Sequence, residues 1–171
     1  MPLVLFSHLT SPPARASNLV LKALNIPYKQ REIDTHKHDQ FDEYFQKVNP
    51  QHTIPTLQDG ELIMWDSHAI NTYLVNQYAK DDSLYPKNPK IRALIDQRLH
   101  FDSGVLFPAI PYMVILVPID QQKYPLIKKY LELLKSQLKS YEEINEKGLE
   151  ECNRRLKNAN FMFLKEEIKT K

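Results

Sequence analysis

Leu3-Val4-Leu5-Phe6-Ser7-His8-Leu9-Thr10-Ser11-Pro12-Pro13 is the stretch on which the fold turns. The apolar run Leu3 to Phe6 fits a short strand buried on both faces. Thr10-Ser11-Pro12-Pro13 closes that strand and opens a helix in which Ala16, Leu19, Val20, Ala23 and Leu24 recur at helical spacing. Both prolines fit the first helical turn, where backbone N–H groups have no intrahelical partner to lose. Ser11 therefore sits at a helix N-terminus, where free N–H groups and the helix dipole favour negative charge. A side chain there serves as an ordinary N-cap or as the donor that holds a thiolate.

Outward from this unit, Asn25-Ile26-Pro27 stops the helix and Tyr28 to Ile33 reads as a second strand. Asp34 to Gln40 is polar and irregular, and a short aromatic helix with Phe41, Tyr44 and Phe45 follows. Thr56-Leu57-Gln58, a turn at Asp59-Gly60 and the run Glu61 to Trp65 form a hairpin signature. Asp66-Ser67 then opens a helix carrying Ala69, Ile70, Tyr73, Leu74 and Tyr78. The order β-α-β-α-β-β-α predicts a mixed sheet with helices packed on it. The Asp-, Pro- and Lys-rich stretch Asp81 to Pro89 reads as a linker, and helices alone follow it. Ile91 to Val105 is expected to turn Leu94, Ile95, Leu99 and Phe101 inward, and Pro108, Pro111 and Pro118 interrupt what comes next. Tyr124 to Tyr141 is amphipathic through Ile127, Tyr130, Leu131, Leu134, Leu138 and Tyr141, and a last short helix is expected around Leu149, Cys152 and Leu156. The expected division is 1–80, a linker at 81–90, and 91–171.

Composition excludes several classes of function. The net charge of +2 gives no reason to expect nucleic acid or a membrane surface as partner. The single cysteine, Cys152, allows neither an internal disulfide nor a Cys-x-x-Cys pair, and it reads as an inert structural residue. Three glycines rule out a glycine-rich phosphate loop. No signal peptide or membrane span is expected, so a cytoplasmic location is. His36 and His38 lie in a polar loop without a third ligand, so no metal is expected.

Between the helix starts at Ser11 and Asp66-Ser67 lies His52-Thr53-Ile54-Pro55-Thr56. A proline directly before a strand, after β-branched Ile54, suits a cis peptide. That would turn the Ile54 backbone towards an extended, peptide-like ligand. His52 and Lys47 could meet one carboxylate, the N–H groups at Ser67 another, and Asp66 an ammonium. Two carboxylates, an α-amine, a peptide backbone and a thiol are the groups of glutathione, with Ser11 receiving the thiol. The plainer alternative for Asp66-Ser67 is an N-cap, and for Phe101, Phe107 and Tyr112 a place in the core.

Ser11-Pro12-Pro13-x-Arg15-Ala16, Asn49-Pro50-Gln51-His52-Thr53-Ile54-Pro55, Trp65-Asp66-Ser67-His68-Ala69-Ile70, Ser83-Leu84-Tyr85-Pro86 and Asp96-Gln97-Arg98-Leu99-His100-Phe101-Asp102-Ser103-Gly104 together resemble the insect delta- and epsilon-class cytosolic glutathione S-transferases. Asp-Ser-His leans towards epsilon. The resemblance implies an α/β thioredoxin-like N-terminal domain, an all-α C-terminal domain, a homodimer, and attack of the glutathione thiolate on small hydrophobic electrophiles such as xenobiotics. Glutathione is then a co-substrate and no cofactor is implied. By the same resemblance, Ser11 activates the thiol and His52 contacts the glycine carboxylate. Ile54 and Pro55 hold the cysteinyl backbone, and Asp66, Ser67 and His68 hold the γ-glutamyl end. Phe107, Ile110 and Pro111 would line the electrophile pocket.

The chain departs from the family in three places; in one, Pro111 replaces a long side chain usual in the pocket wall and Pro118 shortens the helix behind it. Gln40 stands where a glutathione-contacting histidine is usual, with His36 and His38 nearby. The central buried helix of the second domain, announced by a capping box before an apolar run, has no counterpart; Ser140-Tyr141-Glu142-Glu143 has the capping pattern but polar residues follow. Tyr141 to Gly148 and Asn160-Phe161 resemble the extreme C-terminal region of epsilon-class members. The expectation is an internal deletion near Leu134 to Tyr141, an abridged helical domain, and apolar stripes at Leu131, Leu134 and Leu138 left to re-pack or pair. Beside an active transferase stand a non-catalytic glutathione- or hydrophobic-ligand-binding protein and an unstable truncated product.

Overall fold

The computed structural model describes residues 3–109, 125–138 and 140–158. Strand β1 (Leu3–Ser7) pairs in parallel with β2 (Tyr28–Glu32) and antiparallel with β3 (Thr56–Asp59), which pairs antiparallel with β4 (Leu62–Trp65). The sheet order is β2-β1-β3-β4. Side chains of β1 alternate between the faces, as pleating requires. Leu3 and Leu5 join Leu21, Leu57, Ile70 and Leu74 under helices α1 (Pro12–Ala23) and α3 (Ser67–Tyr78), whereas Val4 and Phe6 join Ile33, Phe45 and Val48 under α2 (Glu43–Val48). Helices thus cover both faces of a mixed sheet, and the sheet with its helices is thioredoxin-like.

Local chemistry sets the element boundaries. Helix α1 ends in a Schellman motif: Ile26 N–H donates to Leu21 O at 3.0 Å and Asn25 N–H to Lys22 O at 3.1 Å, with Asn25 at φ 55°. Gly60, the first residue of the two-residue β3–β4 turn, sits at φ 60°, where a side chain would be strained. Tyr73 and Tyr78 tie α3 to this hairpin by donating to the Asp59 carboxylate at 2.7 and 2.5 Å. Those bonds hold the Asp59 carboxyl below its ordinary range and raise the Tyr73 phenol to about 12.

Helix α4 (Pro89–Phe101) runs into a π-type turn at Asp102–Leu106 and a short helical stretch to residue 109. Helix α5 (Pro125–Gln137) follows, then a π-type turn at Glu142–Glu146 and α6 (Lys147–Asn158). The inward face expected of α4 is corrected in part: Ile95 and Leu99 are half-buried, but Leu94 and Phe101 are exposed, because no described element packs over them. On α5, Leu131 and Leu134 are half-buried, whereas Leu126, Tyr130 and Leu133 stand exposed.

The segment from Tyr141 to Arg155 docks instead on the β-sheet unit. Tyr141 and Ile144 are buried. Arg15 Nε donates to Asn145 Oδ1 at 3.0 Å. Arg155 makes a two-point contact with the buried Asp34 carboxylate at 2.9 and 3.1 Å. This pairing holds the Asp34 carboxyl well below the ordinary carboxylate range. A depressed folded-state value contributes stability that is complete above the unfolded pKa of about 4 and is lost as pH falls towards the folded value. Arg155→Met is therefore expected to lower stability at neutral pH and to flatten the acid limb below about pH 4. Denaturant midpoints across the acid range check this, and an unchanged acid limb would contradict it.

Candidate functional site

The loop between α2 and β3 is organised around one buried amide. Asn49 Nδ2 donates to Thr53 O at 3.0 Å, Thr53 Oγ1 at 3.1 Å and Thr56 Oγ1 at 2.9 Å, while its Oδ1 accepts Gln51 N–H at 2.9 Å. Thr56 Oγ1 donates in turn to Thr53 O at 2.9 Å. Asn49 and Thr56 are fully buried, so these groups have no water to fall back on. The network fixes the path of residues 50–55, which carry His52 at φ 56° and the cis Ile54–Pro55 bond.

Two helix N-termini face this loop. Ser11, at φ −84° and ψ 114°, caps α1, its hydroxyl accepting Ala14 N–H at 3.4 Å. Asp66 caps α3, accepting His68 N–H at 2.9 Å and Ala69 N–H at 3.1 Å. Its backbone lies at φ 74° and ψ 120°, a sparsely populated region for a residue with a Cβ. Both sequence-derived helix starts are thus real caps.

Ser11, Ile54, Pro55, Asp66, Ser67, His68 and Phe107 line one cavity of about 370 Å³. His52 does not line it; its ring lies 5.4 Å from that of Phe41, and its buried Nδ1 has no partner among the described residues. Lys47 pairs with Glu43 at 2.7 Å on an exposed face. Gln40 has a buried, unpartnered Oε1 among the described residues. Ile110, Pro111 and Tyr112 lie outside the described residues. Among those described, no group of His, Cys, Asp and Glu side chains could hold a metal ion.

Sequence reasoning missed Trp65, Gln51, Thr53, Asp102 and Ser103, which also line the cavity. Asp102 projects from the end of α4, and its carboxylate lies 3.0 Å from His68 Nε2, so the helical region closes on the α3 cap. The signal was present as a carboxylate in a helix's last turn, but nothing in the sequence tied it to His68. No helix among the described residues is long and apolar enough to cross a membrane.

A mixed sheet carrying two capped helix N-termini that converge on a cis-proline loop places the chain in the thioredoxin-like class of folds. Comparison with known proteins makes the family explicit. Residues 5–83 match the family described as glutathione S-transferase, N-terminal domain. Glutathione S-transferase 1 of Manduca sexta is 51% identical over 111 residues, 64% of this chain and 51% of the relative. Among solved structures, glutathione transferase E6 from Drosophila melanogaster is 34% identical with a TM-score of 0.85, covering 93% of this chain and 98% of that one. A glutathione transferase homologue from Drosophila mojavensis, solved with bound glutathione, is 32% identical with a TM-score of 0.79, covering 87% of this chain and 94% of that one. The chain belongs to the glutathione S-transferase family. It spans about half the length of curated relatives such as the Manduca sexta protein.

Asn49→Ala should cost about 2–3 kcal/mol, since it strips buried threonine groups of their donor. Asn49→Asp should cost at least as much, because it sets a carboxylate against Thr53 O. Urea midpoints at neutral pH measure both, and a loss below about 0.5 kcal/mol for either would exclude Asn49 as the organiser of the loop.

Proposed function

We propose that the chain is a glutathione S-transferase that binds glutathione in the cavity between α1 and α3 and uses Ser11 to hold its thiol as thiolate. The observation that carries this reading is that Ser11 and the Asp66-Ser67-His68 cap line one cavity with Ile54 and Pro55. The Drosophila mojavensis neighbour with bound glutathione supports it. In this reading the α3 N-terminus and Asp66 take the γ-glutamyl end and Ile54 and Pro55 the cysteinyl backbone, while His52, which does not line the cavity, would meet the glycine carboxylate only where the ligand extends past the cavity wall. The accompanying division is a glutathione-binding unit at 1–80, a linker at 81–90 and an abridged helical unit at 91–171, in a cytoplasmic homodimer.

The chemistry follows from electrostatics. A free thiol has a pKa of about 8.5, so only a few per cent is thiolate at neutral pH. The Ser11 hydroxyl donates to the sulfur, and the α1 dipole adds to the stabilisation of its charge. The thiol proton leaves to solvent, so no general base is required. A sulfur lone pair then forms the bond to an electrophilic carbon, and a leaving group departs with the electron pair of the bond that breaks. Small hydrophobic electrophiles, xenobiotics among them, would rest against Phe107.

Ser11→Ala is expected to leave the glutathione dissociation constant nearly unchanged and to lower turnover about 10–100-fold, the worth of one hydrogen bond to a charged sulfur. Steady-state kinetics with an aromatic halide, paired with calorimetric titration, tests this. Unchanged turnover would remove Ser11 from the mechanism. Binding without turnover in the parent chain would make it a glutathione-binding protein instead.

A further inference from the structure

The loop that carries Ser11 is held from behind by the C-terminal segment. His8 O accepts Ser11 N–H at 3.0 Å. The next carbonyl, Leu9 O, accepts Arg15 Nη1 at 3.0 Å, and Arg15 is itself anchored on Asn145. Thr10 O accepts the Cys152 thiol at 3.2 Å. Three consecutive carbonyls before the Ser11 side chain are therefore engaged, two of them by groups that belong to or lean on the segment from Asn145 to Cys152.

A second route reaches the same residue. Arg155 grips Asp34, and the buried His8 ring presents Nε2 to Asp34 at 3.6 Å and to Glu32 at 3.2 Å. On its other side His8 Nδ1 accepts Thr10 N–H at 3.2 Å and lies 2.7 Å from Thr10 Oγ1. Accepting from Thr10 N–H places the ring proton of a neutral imidazole on Nε2, facing the carboxylates. Both routes, one from Cys152 and one from Arg155, end on Thr10.

The approach is too close for any side chain at its centre. A Cβ on Gly148 would stand 2.6 Å from Leu9 O and 2.4 Å from Arg15 Cδ. We propose that residues 141–155 act as a positioning clasp for the proposed thiol-activating serine, fixing the peptide planes of Leu9 and Thr10 and through them the aim of the Ser11 hydroxyl. This rests on the thiolate reading of the site. It gives the segment from Tyr141 to Arg155 a task beyond stability: Gly148, Cys152 and Arg15 touch no ligand, yet they set the thiol's acidity through Ser11.

The test is the pKa of the bound glutathione thiol, read from thiolate absorbance across pH on the full chain at saturating glutathione. The parent should show a depressed value. Gly148→Ala should raise it by about half a unit, roughly a threefold change in the ionisation constant, with the glutathione dissociation constant little changed. Cys152→Ala, which adds no bulk and removes the donor to Thr10 O, should move it in the same direction and keeps the test decisive if Gly148→Ala does not fold. A purely structural clasp would lower thermal stability and leave the thiol pKa at the parent value in both variants, which would overturn the inference alone. An ordinary thiol pKa in the parent would overturn the thiolate reading and the clasp with it.

Discussion

The buried amide of Asn49 is the constraint on which the site depends. Its carboxamide supplies donors to Thr53 and Thr56 and an acceptor to Gln51, converting a six-residue stretch without helix or strand into a fixed ledge. That ledge stands against the N-termini of α1 and α3, and its Ile54 and Pro55 share their cavity. Loop backbone near a binding cavity must satisfy its polar groups without a ladder of its own, and one asparagine with two threonines does so here.

Much of this was legible in the sequence because it is local. Pro12 and Pro13 at the first turn, Asn25 past the end of α1, Gly60 in the hairpin and Asp66 before α3 each act through their own backbone, so residue type announces conformation. Pleating made β1 readable too, since Leu3 with Leu5 and Val4 with Phe6 part to opposite faces. What the sequence hid is non-local. His68 meets Asp102, 34 positions on, and Cys152, read as inert, meets Thr10 O, 142 positions back. No periodicity encodes such pairs. The inward face assigned to α4 erred for the same reason: helical spacing tells which residues share a face, not whether a neighbour exists to cover it. Leu94 and Phe101 share a stripe that is exposed among the described residues.

The two halves of the chain are stabilised differently. The sheet unit has two apolar clusters and a satisfied polar loop. Helices α4 and α5 leave Ile91, Leu94, Phe101, Leu126 and Tyr130 exposed, and burying one such side chain contributes about 1.5–3 kcal/mol. A curated relative such as glutathione S-transferase 1 of Manduca sexta is about twice as long as the stretch it matches. In that light the segment from Tyr141 to Arg155 matters because it attaches to the sheet unit, through Arg15, Asp34 and Thr10, as well as to α5, through the ion pair of Glu146 with Lys135. The cavity between α1 and α3 can then keep its form although the helical region leaves apolar side chains exposed.

The most direct measurement is thermal unfolding followed by the fluorescence of Trp65, the single tryptophan and a residue of the cavity wall, with and without glutathione. The account predicts one cooperative transition that moves upward with ligand, by an amount corresponding to about 2.7 kcal/mol at a hundredfold excess over the dissociation constant. A transition that glutathione leaves in place would contradict it, since a ligand that binds the native cavity must stabilise the native state.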